Sequence, residues 1–111
     1  MDEQKKKTVE DLLNSLKGKG VETALIRKDG VLIHSTITLD ETAPTIISSL
    51  ANITDELMKQ SSDSQKEIEI TLDNIYFFMI PIKEYILCSP VADRELKKEV
   101  RGLAEKLKAT I

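Results

Sequence analysis

Residues 67–91 read EIEITLDNIYFFMIPIKEYILCSPV, three strand-like runs separated by Asp73-Asn74 and by Lys83-Glu84. A parallel pair needs a crossover of about a dozen residues or more, so connections this short can only join antiparallel neighbours. The run 67–72 alternates strictly, with Ile68, Ile70 and Leu72 on one face and Glu67, Glu69 and Thr71 on the other. With one apolar face it belongs at a sheet edge. The run 75–82 is almost wholly apolar and belongs near the middle; Pro81 cannot donate to a ladder and marks where pairing is expected to stop. The run 85–91 makes a further strand.

A second hairpin lies upstream in VETALIRKDGVLIHST, residues 21–36. Asp29-Gly30 between two strand-like runs predicts a type I′ turn, which needs positive φ at both central residues. Ala24, Leu25 and Ile26 are consecutive, as are Val31, Leu32 and Ile33. Apolar runs of this kind predict strands covered on both faces, hence a sheet with helices on each side.

Three helical segments complete the chain. In residues 8–17, Val9, Leu12, Leu13 and Leu16 share one arc of about 100°, with Thr8 as the expected N-cap and Gly18 and Gly20 as the stop. In residues 92–109, Leu96, Val100, Leu103, Ala104 and Leu107 do the same, with Asp93 near the start. The segment 42–60 differs. Ile46, Ile47, Leu50, Ala51, Ile53, Thr54, Leu57 and Met58 spread over an arc of about 160°, wider than one packing partner requires. Pro44 is tolerated in its first turn, Asp40 or Thr42 can cap it, and a polar linker, SSDSQK, follows it.

A chain of 111 residues is long enough for one core, so residues 1–111 are expected to form a single domain, with 1–7 a frayed charged terminus. The net charge of -3 hides a division: residues 40–73 hold eight acidic and two basic side chains, residues 90–111 four acidic and six basic. That basic surplus is small and has no aromatic platform beside it, so no nucleic-acid partner is expected. The longest apolar run is far shorter than the roughly 20 residues that cross a bilayer, the N-terminus has no signal-peptide pattern, and Cys88 is the one cysteine. No membrane is expected as a partner, and a reducing, cytoplasmic location is. His34 and Cys88 are too few to build a zinc site, no acidic partner is placed to make His34 and Ser35 a triad, and no phosphate-binding glycine pattern occurs. No catalytic residue, metal or cofactor is expected, and Cys88 reads as a small buried hydrophobe.

The order helix, two strands, helix, three strands, helix, with the segments VETALIRKDGVLIHS and EIEITLDNIYFFMIPIKEYILCSPV, resembles the roadblock (dynein light chain) family over residues 9–109. Val21, Ala24, Leu25, Ile26, Asp29, Gly30 and Ile33 match the family's hairpin pattern; Thr23 and His34 depart from it, small residues being usual there. The resemblance implies an α+β, three-layer α/β/α, profilin-like fold around a five-stranded, mostly antiparallel sheet of order 2-1-5-4-3. The central helix lies on one face and the terminal helices on the other. It also implies a homodimer formed through the central helix and third strand, acting as a non-enzymatic adaptor or regulator of a small Ras-like GTPase or as part of a scaffold. The alternative is a small-molecule sensor of related fold, for which the apolar strands offer few orienting polar groups.

Under this reading the wide arc divides. Ile46, Leu50, Ile53 and Leu57 are assigned to the subunit's own sheet, and Ile47, Ala51, Thr54 and Met58 to the second subunit's helix, with Glu67, Glu69, Ile70 and Thr71 at the strand edge. A two-fold axis near Ile70 is expected, because one at Ile68 sets Glu67 against Glu69 twice. Arg27, Arg94 and Arg101 are the arginines from which a catalytic finger could come, and their simpler reading is solvated charge.

Overall fold

The computed structural model describes residues 1–62, 66–71 and 73–111. Its elements follow as α1 (Glu3–Lys17), β1 (Ala24–Arg27), β2 (Leu32–Ser35), α2 (Ala43–Gln60), β3 (Ile68–Thr71), β4 (Tyr76–Ile82), β5 (Tyr85–Val91) and, after a short 3-10 turn at Arg94–Leu96, α3 (Lys97–Thr110). The sheet runs β2-β1-β5-β4-β3 with every neighbouring pair antiparallel. Helices α1 and α3 cover one face and α2 the other, which gives the α+β, three-layer, profilin-like arrangement expected. Residues 63–65 of the expected linker and Leu72 of the expected third strand lie outside the described residues.

Helix α1 starts at Glu3, not Thr8. Asp2 Oδ1 accepts the Lys5 amide at 2.8 Å, so a carboxylate caps the helix nearly two turns before its apolar stripe begins. Thr8 instead donates its hydroxyl to the Gln4 carbonyl at 3.0 Å, and the helix absorbs most of the stretch expected to fray. Before α2, Asp40 Oδ1 accepts the Thr42 amide at 2.9 Å and the Thr42 hydroxyl at 2.8 Å. The amide bond, then the hydroxyl, hold the Asp40 carboxyl below its ordinary range.

The Asp29-Gly30 hairpin forms, with a different turn from the one expected. Only Gly30 takes positive φ, at +96°; its amide donates to the Arg27 carbonyl at 2.8 Å, and the Arg27 amide donates to the Val31 carbonyl at 2.8 Å. This is a three-residue loop whose last position is left-handed, the alternative to a type I′ turn that spares Asp29 the strained conformation. Strand β2 is not covered on both faces: it is an edge, with Val31 43% and Leu32 42% exposed beside it and in it. Its pairing slips between Leu25 opposite His34 and Ile26 opposite Leu32, so Ile33 is an extra residue that blunts the edge.

Pairing does not stop at Pro81. It stands opposite Ile86, and Ile82 opposite Tyr85 closes the hairpin. Strand β3, however, reaches β4 only as far as Met79, opposite Ile68. The pair flanking a two-residue loop exchanges hydrogen bonds and successive residues aim at opposite edges, so the Pro81 nitrogen faces the side β3 has already left. Its missing N–H breaks no ladder.

Candidate dimer and partner interface

Helix α2 seats Pro44, Ile47, Ser48 and Ala51 downward, among Ala24, Ile26, Met79, Ile86 and Cys88 of the sheet. Two contacts with the β1–β2 hairpin fix its rotation. Asn52 Nδ2 donates to the Lys28 carbonyl at 3.1 Å, and Gly30 lies so close that a Cβ there would stand 3.4 Å from Thr45 Oγ1 and 3.5 Å from Ser48 Oγ. With that flank held against the hairpin, the opposite flank carries Ile46, Ile53 and Leu57 outward, with Leu50 at its inner border against the sheet-side cluster. Ile46 and Ile53 are 61% exposed, Leu57 57%, and Leu50 is half-buried.

Burial does not divide the arc as expected: of the four residues assigned to the sheet, Leu50 packs against the sheet-side cluster and the other three are exposed. Ile47 and Ala51, assigned to a second subunit, are buried in their own; Thr54 is half-buried, its hydroxyl donating to the Leu50 carbonyl at 2.8 Å, and Met58 sits at the exposed rim. Ile46, Ile53 and Leu57, assigned to the sheet, face away from it. Small Ala51 and Ser48 let the helix approach the strands closely, which decides the matter in favour of their side. Spacing alone could not tell the halves apart: positions 46, 50, 53 and 57 and positions 47, 51, 54 and 58 are both spaced four, three, four, the seam spacing of two helices packed on each other.

The sheet also has room on this face. Five strands about 4.8 Å apart span roughly 19 Å from first to last, while a helix with its side chains is about 10 Å wide. Two helices finish the opposite face. Here α2 lies over β1 and its hairpin and leaves Ile68, Ile70 and Phe77 half-buried on the β3–β4 side, with Ile75 42% exposed beyond them.

On its other face β3 is tied down by charge. Arg101 grips Glu67 with two bonds, Nε to Oε2 at 2.7 Å and Nη2 to Oε1 at 3.0 Å, and this pairing holds the Glu67 carboxyl below its ordinary range. Glu69 pairs with Lys97, with Arg94 at 3.7 Å. The same cations lie over rings: Arg94 4.7 Å from the centre of Tyr76, Lys97 5.1 Å and Arg101 5.4 Å from that of Phe78. Glu67 and Glu69 thus point to the α3 layer, Ile70 points to the α2 layer, and Thr71 is exposed at the edge. The outer side of β3, like that of β2, is covered by no other strand among the described residues.

Cys88, His34 and Arg27, the residues weighed for chemistry, each have defined neighbours. Burial pushes the Cys88 thiol up to about 12, and its Sγ lies 3.6 Å from the Ala24 carbonyl, so it stays a protonated hydrophobe. His34 Nε2 lies 3.2 Å from Asn14 Oδ1, an exposed contact between β2 and α1. Arg27 is held by Asp29, with Nη2 to Oδ2 at 2.7 Å, so each of the three arginines is already engaged. A groove of about 460 Å³ lies between α3 and the outer end of β4, open to solvent rather than enclosed between sheet and helix. No helix among the described residues is long and apolar enough to cross a membrane.

No protein-family model and no curated protein matches the sequence. Solved structures match the fold closely. MglB of Myxococcus xanthus superposes with a TM-score of 0.87 at 13% identity, over 98% of this chain and 91% of that one. The Roadblock/LC7 domain from Streptomyces avermitilis gives 0.76 at 15% identity, over 90% and 94%. Profilin IB of Acanthamoeba castellanii gives 0.67 at 11% identity, over 90% and 96%. Likeness at such low identity speaks of architecture, and the architecture is that of a roadblock-like domain.

Proposed function

We propose that residues 1–111 form a single-domain, non-enzymatic homodimeric adaptor that binds or regulates a small Ras-like GTPase, or scaffolds a larger complex around one, in the cytoplasm. The observation that carries the reading is the unfinished α2 face. The flank Ile46, Leu50, Ile53 and Leu57 has seam spacing, and beside it lies a helix-wide space floored by Ile68, Ile70 and Phe77. A second α2 running antiparallel to the first fills that space and offers the same seam in return, and β3 of each subunit extends the sheet into the other. The likeness to MglB and to a Roadblock/LC7 domain supports the regulatory reading as kinship of fold. The helix tops left above such a pair carry Ser49, Asn52 and Glu56, a polar platform for the GTPase.

Light scattering on the purified chain is expected to give a dimer, and Ile53→Asp a folded monomer. The dimer immobilised on resin is expected to retain a small GTPase from the source lysate in one nucleotide state more than the other. A strict wild-type monomer that holds no nucleotide-binding protein ends this reading. The register has its own check. With Cys88 buried, an Ile70→Cys chain oxidises to a covalent dimer if the axis passes near Ile70, whereas Ile68→Cys does so if the axis passes there. The glutamates argue less strongly for Ile70 once Arg101 and Lys97 are seen to match them, so the cross-link, not the charge, decides.

A further inference from the structure

Arg94 is the least committed of the α3-side cations that gather at β3. Lys97 occupies Glu69 Oε1 and Arg101 holds Glu67 with two bonds, whereas Arg94 Nη2 stands 3.7 Å from Glu69 Oε2, too far for a hydrogen bond. What holds Arg94 is the ring of Tyr76, its centre 4.7 Å from Cζ, and 63% of the side chain stays exposed. Glu69 Oε2 accepts no hydrogen bond among the described residues, although only 27% of that side chain is exposed. A free donor and a free acceptor of opposite charge thus lie near each other on the α3 face without bonding.

Both border the outer side of β3. Within the sheet Thr71 stands opposite Tyr76, and Glu69 opposite Phe78. A two-fold axis at Ile70 sets Thr71 against Glu69 of the partner subunit, so Tyr76, Thr71 and the partner's Glu69 form one row across three neighbouring strands. That axis stands perpendicular to the joined sheet, so the α3 faces of both subunits lie on the same side of it. Tyr76 and the partner's Glu69 are two strand spacings apart, roughly 10 Å, and the guanidinium of Arg94 already leans from Tyr76 toward β3. Thr71 between them is short and exposed, so no tall side chain separates the two. An axis at Ile68 moves the partner's Glu69 four residues along, about 13 Å, and out of this row.

We propose that Arg94 reaches across the paired strands to Glu69 of the partner subunit, so that each Glu69 is held by Lys97 of its own chain and by the partner's Arg94. The proposal rests on the dimer reading above. To the apolar seam on the α2 side it adds a charged contact on the α3 side, made twice by symmetry, which favours a second copy of this chain, paired at Ile70, over other exposed strands.

Mixing charge-reversed chains isolates the contact. Arg94→Glu sets like charges together at two places and is expected to weaken the homodimer about tenfold in sedimentation equilibrium. Glu69→Arg is expected to weaken it at least as much. Mixed, the two chains are expected to form heterodimer about fivefold beyond the statistical share in native mass spectrometry, because each reversed charge then faces its opposite. Costs inside one subunit are the same in every dimer that it enters, so they cannot bias the pairing. Lys106→Glu carries the same change of charge on an exposed residue of α3, about three turns from Arg94, and mixed with Glu69→Arg it is expected to give close to the statistical share. Melting curves in the Ile53→Asp background report folding. If a reversed chain fails there, Arg94→Gln, which keeps an aliphatic stem by Tyr76, is expected to weaken the wild-type dimer about threefold. An excess no larger with Arg94→Glu than with Lys106→Glu, or an Arg94→Gln dimer as tight as wild type, overturns the contact and leaves the helix seam standing. If the wild-type chain is itself monomeric, both fall.

Discussion

On the α1/α3 face of the sheet fourteen described side chains are buried in one cluster, and Leu13, Phe78 and Leu103 have at most 2% of their surface in contact with solvent. On the α2 face the cluster has seven, and three of the largest apolar side chains of α2 are more than half exposed. Helix α2 is more apolar than α1 or α3 and its apolar arc is wider. The faces differ as well in the number of helices laid across the same five strands. A face finished by two helices has no further use for apolar surface, while one finished by a single helix keeps an apolar flank and an apolar floor side by side. The contrast extends to the two edges: β2 carries a bulge that discourages pairing, whereas β3 pairs with β4 in regular register and presents its outer side unbroken.

The sharpest way to break this comparison is to truncate one residue on each face. Leu13→Ala, at a site with no exposure, is expected to cost about 4 kcal/mol in urea unfolding through lost burial and an unfilled cavity. Ile53→Ala is expected to leave the intrinsic stability of the subunit within about 0.5 kcal/mol and to change instead how unfolding depends on protein concentration. Equal, concentration-independent losses at both would mean that the faces are not unequal after all.

The next largest effect tests the rotation of α2. Ala51 is 2% exposed beneath the helix, so Ala51→Arg is expected to destabilise the subunit itself by about 3 kcal/mol, by overpacking and by forcing a cation under α2. Leu57→Arg, on the outer flank at 57% exposure, is expected to abolish dimerisation with the melting curve of the subunit nearly kept. If Ala51→Arg instead gives a stable monomer, the helix sits rotated toward the division first drawn from the sequence.

That division shows where sequence reading stops. The antiparallel sheet and the breadth of the α2 arc follow from local patterns, because turn length and periodicity act between near neighbours, whereas the strand order and the sides taken by the helices come from the resemblance to the roadblock family. Which half of the arc faces the sheet is settled by Asn52 reaching Lys28 and by Gly30 approaching Thr45 and Ser48, contacts between segments far apart in sequence. Nothing local distinguishes Ile47 from Ile46. The same holds for the glutamates of β3, which look like a solvated stripe until α3 brings Arg101 and Lys97 to them. Asp2 was missed for a simpler reason: a polar first turn adds nothing to an apolar stripe, so the stripe begins after the helix does.

Gly30 offers a smaller, more focused test of what holds α2 in place. Its φ of +96° is a region that side chains other than glycine occupy only under strain, so Gly30→Ala is expected to cost about 1 to 2 kcal/mol. The added methyl meets Thr45 and Ser48 at ordinary contact distance, so the loss comes from backbone strain rather than from displacement of the helix. A dimer constant unchanged by this variant, beside a lowered melting temperature, would locate its effect in the hairpin turn alone.

The least effect is expected where α3 holds β3 by charge. Because Arg101 lowers the pKa of Glu67 in the folded chain, the pair adds stability above the unfolded glutamate value, near pH 4.3, and that addition is lost as pH falls through the lower, folded value. Both side chains are partly exposed, so the contribution is expected to stay under about 1 kcal/mol. Glu67→Gln should therefore lower stability slightly at pH 7 and flatten its decline between about pH 5 and pH 3, measured by urea unfolding at several pH values. An unaltered decline would mean that the β3–β4 ladder alone keeps the edge strand in place. The edge would then be as independent of the closed face as it is of the open one, and the inequality between the faces would reduce to the number of helices on each.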